Sequence, residues 1–214
     1  MIQAALLDMD GVLIDSEDFI CEAAVRMFRE KGVEVSPADF EPFVGTGEDR
    51  YLGGVAEVHG VSLDIDVAKA RTYEIYTELI RGKLEALPGV HSYVALLRER
   101  GLKIALATSA DHVKVAASLA EIGMPESSFD TVVNGLDVVR KKPFPDIYLR
   151  AAIMLGVPPT SCLVVEDSIH GVKAAKSAGA RCLAVTTSFD AAELTEADWI
   201  CRDLSDAPDA ALDW

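Results

Sequence analysis

The stretch LLDMDGVLIDSE, residues 6–17, places three carboxylates directly after a short apolar run. Asp8 and Asp10 stand two residues apart where the apolar run ends, and Asp15 follows near the end of the segment. Carboxylates this close repel one another, so the arrangement requires a cation, a shared proton or water as a partner. The identity of that partner decides what this segment can do.

Around this segment, apolar runs and amphipathic segments alternate along the chain. Runs rich in Val, Ile, Leu and Ala at 2–9, 102–109, 161–167 and 180–187 predict buried strands, with weaker candidates at 129–134 and 198–200. Amphipathic segments at 89–100, 111–122, 145–156 and 168–178 predict helices. Each helix precedes a glycine suited to its C-terminus: Gly101, Gly123, Gly156 and Gly179. This alternation predicts an α/β fold with an open, parallel, three-layer sheet.

Residues 16 to about 82 interrupt the alternation. They contain no convincing strand, and the segments SEDFICEAAVRMFREKG and DVAKARTYEIYTELIRG show apolar positions at helical spacing. The block therefore predicts three or four helices inserted after the first strand, in the position of a lid. We expect a catalytic core formed by residues 1–15 and 86–214 and a helical cap domain at 16–85.

Polar side chains follow three of the predicted strands. The pairs at these ends are Asp8 and Asp10, Thr108 and Ser109, and Glu166 and Asp167. Each pair alone could be a set of solvated loop residues, but the carboxyl ends of neighbouring parallel strands meet in one crevice, where ligands bind. A crevice this acidic requires a hard cation with oxygen ligands. Mg²⁺ fits, because it accepts carboxylates while keeping positions for water and phosphate.

A calcium-binding loop is an alternative for the acidic segment at residues 8–15, and a lysine later in the chain is a candidate counter-charge. A calcium loop would need a third acid where Val12 stands and a glycine later than Gly11, and an apolar strand leading into Asp8 argues against a flexible cage. In RKKPFPDIY, residues 140–148, Lys142 precedes a proline just ahead of a helix. In so acidic a chain, Lys142 can serve as the counter-charge of the carboxylates or of a phosphate. Alternatively, Lys142 and Lys141 are both solvated surface charges.

Composition narrows the class of protein. The chain has 214 residues, a formal net charge of −15 and 50% hydrophobic residues, which indicates a sizeable core and disfavours nucleic acid and anionic membranes as partners. Four cysteines lie far apart without metal-ligand spacing, so we expect reduced thiols in a cytoplasmic protein. No signal peptide or membrane-spanning run is predicted. We expect a monomer.

Together these motifs resemble the haloacid dehalogenase superfamily over essentially the whole chain. DMDGV at 8–12 is similar to the family's first motif, ALATS ending at 109 to the second, KKP at 141–143 to the third and VVEDS at 164–168 to the fourth. The helical insertion resembles the cap of the β-phosphoglucomutase-like subgroup. The resemblance implies a Rossmann-like core sheet and phosphoryl transfer from a small phosphorylated metabolite.

The resemblance also implies a role for each matched residue. Asp8 would be the nucleophile and Asp10 the general acid and base, which explains two acids at one point. Thr108 would hold the phosphoryl group through its hydroxyl, Ser109 would offer a backbone N–H, and Lys142 would neutralise charge. Glu166 and Asp167 would complete a Mg²⁺ site with Asp8 and the Asp10 carbonyl.

Several activities remain open within and beyond this family. A dehalogenase does not need Asp10, and a phosphonatase would need a cap lysine, for which Lys69 and Lys83 are the candidates. A metal-dependent binding module without catalysis is the alternative from another class. His112 is expected either near the substrate or on a helix surface, and His170 on a helix beside the metal loop.

The main alternative to a phosphatase is a sugar-phosphate mutase, which must hold a second phosphate in its cap. The cap histidine and arginine of β-phosphoglucomutases fall here at Ile20 and Glu48, and Arg50 stands close enough in sequence to compensate. The loop formed by Gly45, Thr46 and Gly47 is either a substrate-lining loop or a plain turn between helices. We therefore expect a phosphatase acting on a sugar or polyol phosphate, with little mutase activity.

Overall fold

A computed structural model describes residues 1–44 and 47–214, and a six-stranded parallel sheet lies at its centre. The strands are β1 (Ala4–Leu7), β2 (Lys103–Ala107), β3 (Thr131–Val133), β4 (Cys162–Glu166), β5 (Arg181–Val185) and β6 (Trp199–Cys201). Their order across the sheet is β3-β2-β1-β4-β5-β6, and every neighbouring pair is parallel. The predicted α/β fold and all six strand positions are confirmed.

Four helices connect these strands, as predicted. They are α4 (Val90–Glu99), α5 (His112–Glu121), α6 (Asp146–Leu155) and α7 (Ile169–Ser177). The glycine after each one has a positive φ, and Gly156 is the left-handed C-cap residue of α6. Each helix ends within two residues of its predicted limit, since a glycine provides the stop signal.

Alternate residues of the strands pack into two cores on opposite faces of the sheet. Leu7, Leu106 and Val165 pack with α4 and α5, whereas Leu6, Ala107 and Val164 pack with α6 and α7. The central strands β1 and β4 are buried at every position, as expected for strands covered on both faces. Three layers follow directly from this pattern.

The segment between β1 and α4 forms a helical insert. Its helices are α1 (Glu17–Glu30), α2 (Glu48–Val58) and α3 (Ile65–Ile80), with short 3₁₀ turns at Pro37–Asp39 and Glu41–Phe43. The two linkers that join the insert to the rest lie side by side: Ile14 bridges Ala86, and the Leu87 N–H donates to the Leu13 carbonyl at 2.9 Å. The insert therefore leaves and re-enters the sheet at one point.

Helix α3 of the insert docks along α5 of the core. Lys69 Nζ lies 3.0 Å from Asp111 Oδ2, and the Tyr76 hydroxyl lies 2.7 Å from Ser118 Oγ. Further along both helices, the Gly82 N–H donates to the Glu121 carboxylate. These contacts follow the same order along the two helices, so the insert has a defined register on the core.

The described residues include four free cysteines, two of which, Cys162 and Cys182, are buried in the sheet. Within residues 1–44 and 47–214, none of the helices combines the length and the apolar character that crossing a lipid bilayer requires.

Candidate active site

A cleft of about 390 Å³ lies between the carboxyl ends of the strands and the insert. Its floor includes residues from the ends of three neighbouring strands: Asp8, Asp10, Thr108, Ser109 and Asp167. Strands β2, β1 and β4 are adjacent, and this adjacency brings the three predicted motifs to one place. The insert supplies the opposite wall.

Lys142 lies at the centre of the acidic residues on the cleft floor. Its Nζ lies 2.9 Å from Asp8 Oδ2 and 2.5 Å from Glu166 Oε1, and the side chain is only 7% exposed. The interpretation of Lys142 as a solvated surface charge is therefore wrong. Lys141 differs, since its ammonium donates to the Gly135 carbonyl.

Both oxygens of Glu166 are occupied by hydrogen bonds. Oε1 accepts from Lys142 and from the Tyr148 hydroxyl at 2.6 Å, and Oε2 accepts from the backbone N–H groups of Asp167 and Ser168 and from Ser168 Oγ. Helix α7 packs directly on this carboxylate, because a Cβ at Gly171 would stand 1.9 Å from Oε1. Glu166 thus fixes Lys142 and the first turn of α7.

Asp8, Glu166 and Asp167 form the acidic cluster suited to a metal ion. One carboxylate oxygen from each lies within 4.8 Å of the other two. Asp167 also accepts from Ser188 Oγ, and Gly11 allows the loop after β1 to approach it, since a Cβ there would meet Asp167 Oδ2 at 1.9 Å. The Asp10 carboxylate is not part of this cluster, which leaves its carbonyl as the predicted ligand atom.

The electrostatics of the cluster favour a divalent cation. Burial raises the pKa of Asp8 to about 7 despite the attraction of Lys142. Burial also raises the pKa of Asp167 well above its usual range, helped by the charges of Glu166 and Asp8. For Glu166 burial acts in the same direction, but Lys142 and the hydrogen bonds outweigh it and lower the pKa. One ammonium cannot balance three buried carboxylates, and the all-oxygen donor set fits Mg²⁺.

Asp10 has partners of its own. Ser16 Oγ donates to Asp10 Oδ1 at 2.5 Å, and Lys114 Nζ donates to Oδ2 at 2.8 Å. The Lys114 side chain is 5% exposed, and that of Asp10 is 24% exposed toward the cleft. The two acids of the first motif therefore lie in one cleft but are held by different lysines.

The end of β2 contributes a buried hydroxyl. Thr108 is 1% exposed, and its Oγ1 accepts from the Ala110 N–H at 3.1 Å. Ser109 also lines the cleft, and its carbonyl lies so close to Gly135 that a Cβ there would come within 2.2 Å. These contacts fix the loop whose predicted role is phosphate binding.

The insert side of the cleft carries acids and apolar groups. Its lining includes Glu17, Ile20, Gly47, Glu48 and Tyr51. Gly45 and Thr46, the other two residues of the predicted loop, lie outside the described residues. Ile20 and Glu48, the positions that resemblance assigns to the cap histidine and arginine of a mutase, thus both line the cleft.

Arg50 does not supply the missing positive charge. Its Nη1 lies 2.7 Å from Glu57 Oε2, its guanidinium lies 5.1 Å from the centre of the Phe43 ring, and it is not among the residues that line the cleft. The described cleft residues that can carry a positive charge are Lys114, Lys142 and His170, and both lysines are paired with carboxylates.

Other candidate residues lie elsewhere. Lys69 pairs with Asp49 and Asp111, and neither it nor Lys83 lines the cleft. His112 lies 3.3 Å from Glu126 on the surface, and His170 lies on α7 at the cleft edge.

Sequence reasoning missed Lys114, Ser16 and Tyr148. A signal for Lys114 was present, because Asp111, Lys114, Ser118 and Glu121 recur at helical spacing along one face of α5 and its N-cap.

The chain is similar to known hydrolases over most of its length. The model of the family described as haloacid dehalogenase-like hydrolase matches residues 2–179. The protein SUPPRESSOR OF QUENCHING 1, chloroplastic, of Arabidopsis thaliana is 46% identical over 92% of this chain, and this chain spans 19% of the plant protein's length. A phosphorylated carbohydrates phosphatase of Thermotoga maritima is 33% identical, covering 83% of this chain and 82% of the relative.

Two solved structures share the fold of this chain over nearly its whole length. CbbY from Rhodobacter sphaeroides in complex with phosphate has a TM-score of 0.91 and 28% identity, with both chains covered completely. A mutant of that protein in complex with xylulose 1,5-bisphosphate has a TM-score of 0.87 and 28% identity, with 96% of each chain covered.

Proposed function

Because this chain belongs to the haloacid dehalogenase-like hydrolases, we propose that it is a Mg²⁺-dependent phosphatase of a small phosphorylated metabolite, a sugar or polyol phosphate. A phosphoric monoester hydrolase is supported by the family and by a relative described as a phosphorylated carbohydrates phosphatase. The main observation behind the proposal is that two acids in one cleft form ion pairs with different lysines: Asp8 with Lys142, and Asp10 with Lys114.

Two acids with separate partners can perform two different steps. A carboxylate oxygen of Asp8 attacks phosphorus in line with the leaving oxygen, and the bond to the leaving group breaks as the aspartyl-phosphate forms. Asp10 gives its proton to the departing alkoxide. It then takes a proton from the water that attacks the aspartyl-phosphate, which releases inorganic phosphate and restores Asp8.

The remaining residues of the cleft floor bind and orient the phosphoryl group. Lys142 lies beside Asp8 and offers positive charge to an approaching anion that Asp8 alone would repel. Thr108 offers its hydroxyl and Ser109 its backbone N–H. Asp8, Asp167 and Glu166, with the Asp10 carbonyl, would hold Mg²⁺. Bound there, the metal would supply further positive charge to the phosphoryl oxygens.

We also propose the domain roles expected from the sequence. Residues 16–85 form the cap, and residues 1–15 and 86–214 form the catalytic core. The side-by-side linkers at residues 13–14 and 86–87 support this division. A monomer in the cytoplasm stays a prediction, and the plant relative is described as chloroplastic.

The decisive experiment measures phosphate release from a panel of phosphate monoesters with and without Mg²⁺. We expect turnover with Mg²⁺ and a loss of about 10³-fold or more in Asp8→Asn, because an amide is too weak a nucleophile to replace the carboxylate that forms the covalent intermediate. Asp18→Asn is the matched control, since Asp18 is exposed on α1 and does not line the cleft. Turnover in Asp8→Asn equal to that of the control would refute the mechanism, and a wild-type protein inactive on every monoester would favour a binding module.

The charge of the insert wall supports a phosphatase over a mutase. A mutase must protect its aspartyl-phosphate from water until the monophosphate turns round, using binding energy from a second phosphate. Ile20 offers no hydrogen bond there, Glu48 repels an anion, and Arg50 points elsewhere. The same charges disfavour a bisphosphate substrate of the kind bound to the CbbY mutant.

Product analysis distinguishes these activities. β-Glucose 1-phosphate with a catalytic amount of the 1,6-bisphosphate should yield inorganic phosphate and little glucose 6-phosphate. Fast formation of glucose 6-phosphate with negligible phosphate release would identify a mutase. Xylulose 1,5-bisphosphate, assayed beside xylulose 5-phosphate, tests the charge argument, and a higher kcat/KM for the bisphosphate would contradict it.

A further inference from the structure

Lys114 is a buried lysine to which the mechanism above gives no step. It lies in the first turn of α5, with a side chain that is 5% exposed. An ammonium group is strongly hydrated in water, so a buried one requires a close anionic partner. That partner is Asp10, whose Oδ2 lies 2.8 Å from Lys114 Nζ.

The contact fixes one of the two oxygens of Asp10, and Ser16 fixes the other. Ser16 is fully buried, and its Oγ donates to Oδ1 at 2.5 Å. With one oxygen held from α5 and the other from the start of α1, the carboxyl group cannot rotate freely about its last bond. A proton donor must lie within hydrogen-bond reach of the leaving oxygen, so this restraint bears directly on general acid catalysis.

Lys114 is itself positioned by the insert. Its Nζ lies 5.8 Å from the centre of the Tyr76 ring on α3, and the Tyr76 hydroxyl lies 2.7 Å from Ser118 Oγ, one turn further along α5. The contact between α3 and α5 therefore reaches Asp10 through Lys114.

We propose that Lys114 is a positioning residue that holds the Asp10 carboxyl where it can protonate the leaving group. The proposal rests on the proposed phosphatase function. In the step concerned, Asp10 is first protonated on Oδ1, the oxygen that faces the Ser16 hydroxyl, because Lys114 donates to Oδ2. That proton passes to the ester oxygen as the phosphorus–oxygen bond breaks, and the electron pair of that bond stays on the departing oxygen. Lys114 neither gives nor takes a proton in this step.

The test compares two substrates of similar shape that differ in how much they need protonation. A nitrophenolate leaves p-nitrophenyl phosphate as a stable anion, whereas the alkoxide of benzyl phosphate must be protonated as it leaves. Because kcat/KM reports the steps up to formation of the aspartyl-phosphate, it isolates this proton transfer from the later hydrolysis. We expect Lys114→Met to lower kcat/KM for benzyl phosphate at least about 10-fold more than for p-nitrophenyl phosphate.

Two further variants separate positioning from folding. Lys69→Met is the matched control: Lys69 also joins α3 to α5, through Asp111, but it does not contact Asp10. It should change kcat/KM for both substrates by the same factor. Ser16→Ala removes the other restraint on Asp10, so it should reproduce the selective loss seen in Lys114→Met.

The outcomes are distinguishable. Equal losses on both substrates in Lys114→Met and in Ser16→Ala would overturn the positioning role, and a rise in KM alone would assign Lys114 to substrate binding instead. If Lys114→Met does not fold, Lys114→Gln takes its place in the same comparison, with Ser16→Ala beside it. A wild-type protein inactive on every monoester of the panel, these two included, would refute the proposed function itself, and the role of Lys114 with it.

Discussion

Gly171→Ala should destabilise the protein, although alanine favours helices. Gly171 lies in the first turn of α7, and a Cβ there would stand 1.9 Å from Glu166 Oε1 and 2.1 Å from Oε2. Real Cβ atoms essentially never approach another heavy atom within 3.0 Å, so the helix or the carboxylate must move by about 1 Å. Glu166 is the group that would lose its fit.

Two contributions of opposite sign decide the free energy of unfolding. Alanine in place of glycine favours a helix by about 0.5–1 kcal/mol. Overpacking a buried site costs about 1–3 kcal/mol, and each weakened hydrogen bond to a charged group removes up to about 1.5–3 kcal/mol. Because Glu166 accepts five such bonds, we expect a net loss of about 2–4 kcal/mol.

Urea unfolding measures this loss. With a slope of about 2–3 kcal/mol per molar urea, the midpoint should fall by roughly 1 M. Gly53→Ala in α2 is the matched control, because its Cβ would meet Ile65 Cδ1 at an ordinary 3.5 Å, and it should stabilise by about 0.5–1 kcal/mol. Turnover should also fall in Gly171→Ala, since Lys142 moves with Glu166. A variant as stable and as active as the wild type would refute the reasoning.

Three further predictions concern the metal, the insert and the thiols. Chelation should abolish phosphate release, and added Mg²⁺ should restore it. The Asp167→Asn variant should require a higher Mg²⁺ concentration for its half-maximal rate. Full activity of the wild type in excess chelator would exclude a metal. Lys69→Met should increase amide hydrogen exchange in α3 and α5, with the exposed Lys83→Met as control, because Lys69 joins the two helices. Cys162 and Cys182 should react with Ellman's reagent only on unfolding, because burial raises their pKa, that of Cys162 to about 11; fast labelling of the native protein would contradict this.

The strands and the cleft floor were predictable because their signals are local. An apolar run that ends in an acid identifies both a buried strand and the crevice at its carboxyl end, so Asp8 and Asp167 could be placed together without coordinates. The register of the parallel pairs then brings these ends level, with Leu7 opposite Val165. Only strand limits differed, because residues such as Asp8 and Asp167 lie just beyond the strands.

The wall of the cleft was harder to predict because it depends on contacts between distant segments. The helical spacing marks Lys114 as one of a row of polar residues on α5, but the sequence does not show that Asp10 and Tyr76 lie beside it. The direction of Arg50, by contrast, could have been read from the sequence. Glu57 stands two helical turns away on the same face of α2, and an exposed arginine pairs there rather than across the cleft.

Because its two linkers lie side by side, the whole insert can be replaced by another segment at a single point of the core. Since Ile14 bridges Ala86, residues 15 and 86 lie near enough for a short turn to join them, and a different insert can be spliced in without altering the order of the strands. Asp8 and Lys142 stay with the sheet while the opposite wall of the cleft changes. The condition on such a graft is set by α5: a new insert must match Lys114 and Ser118, which Tyr76 of the present insert contacts.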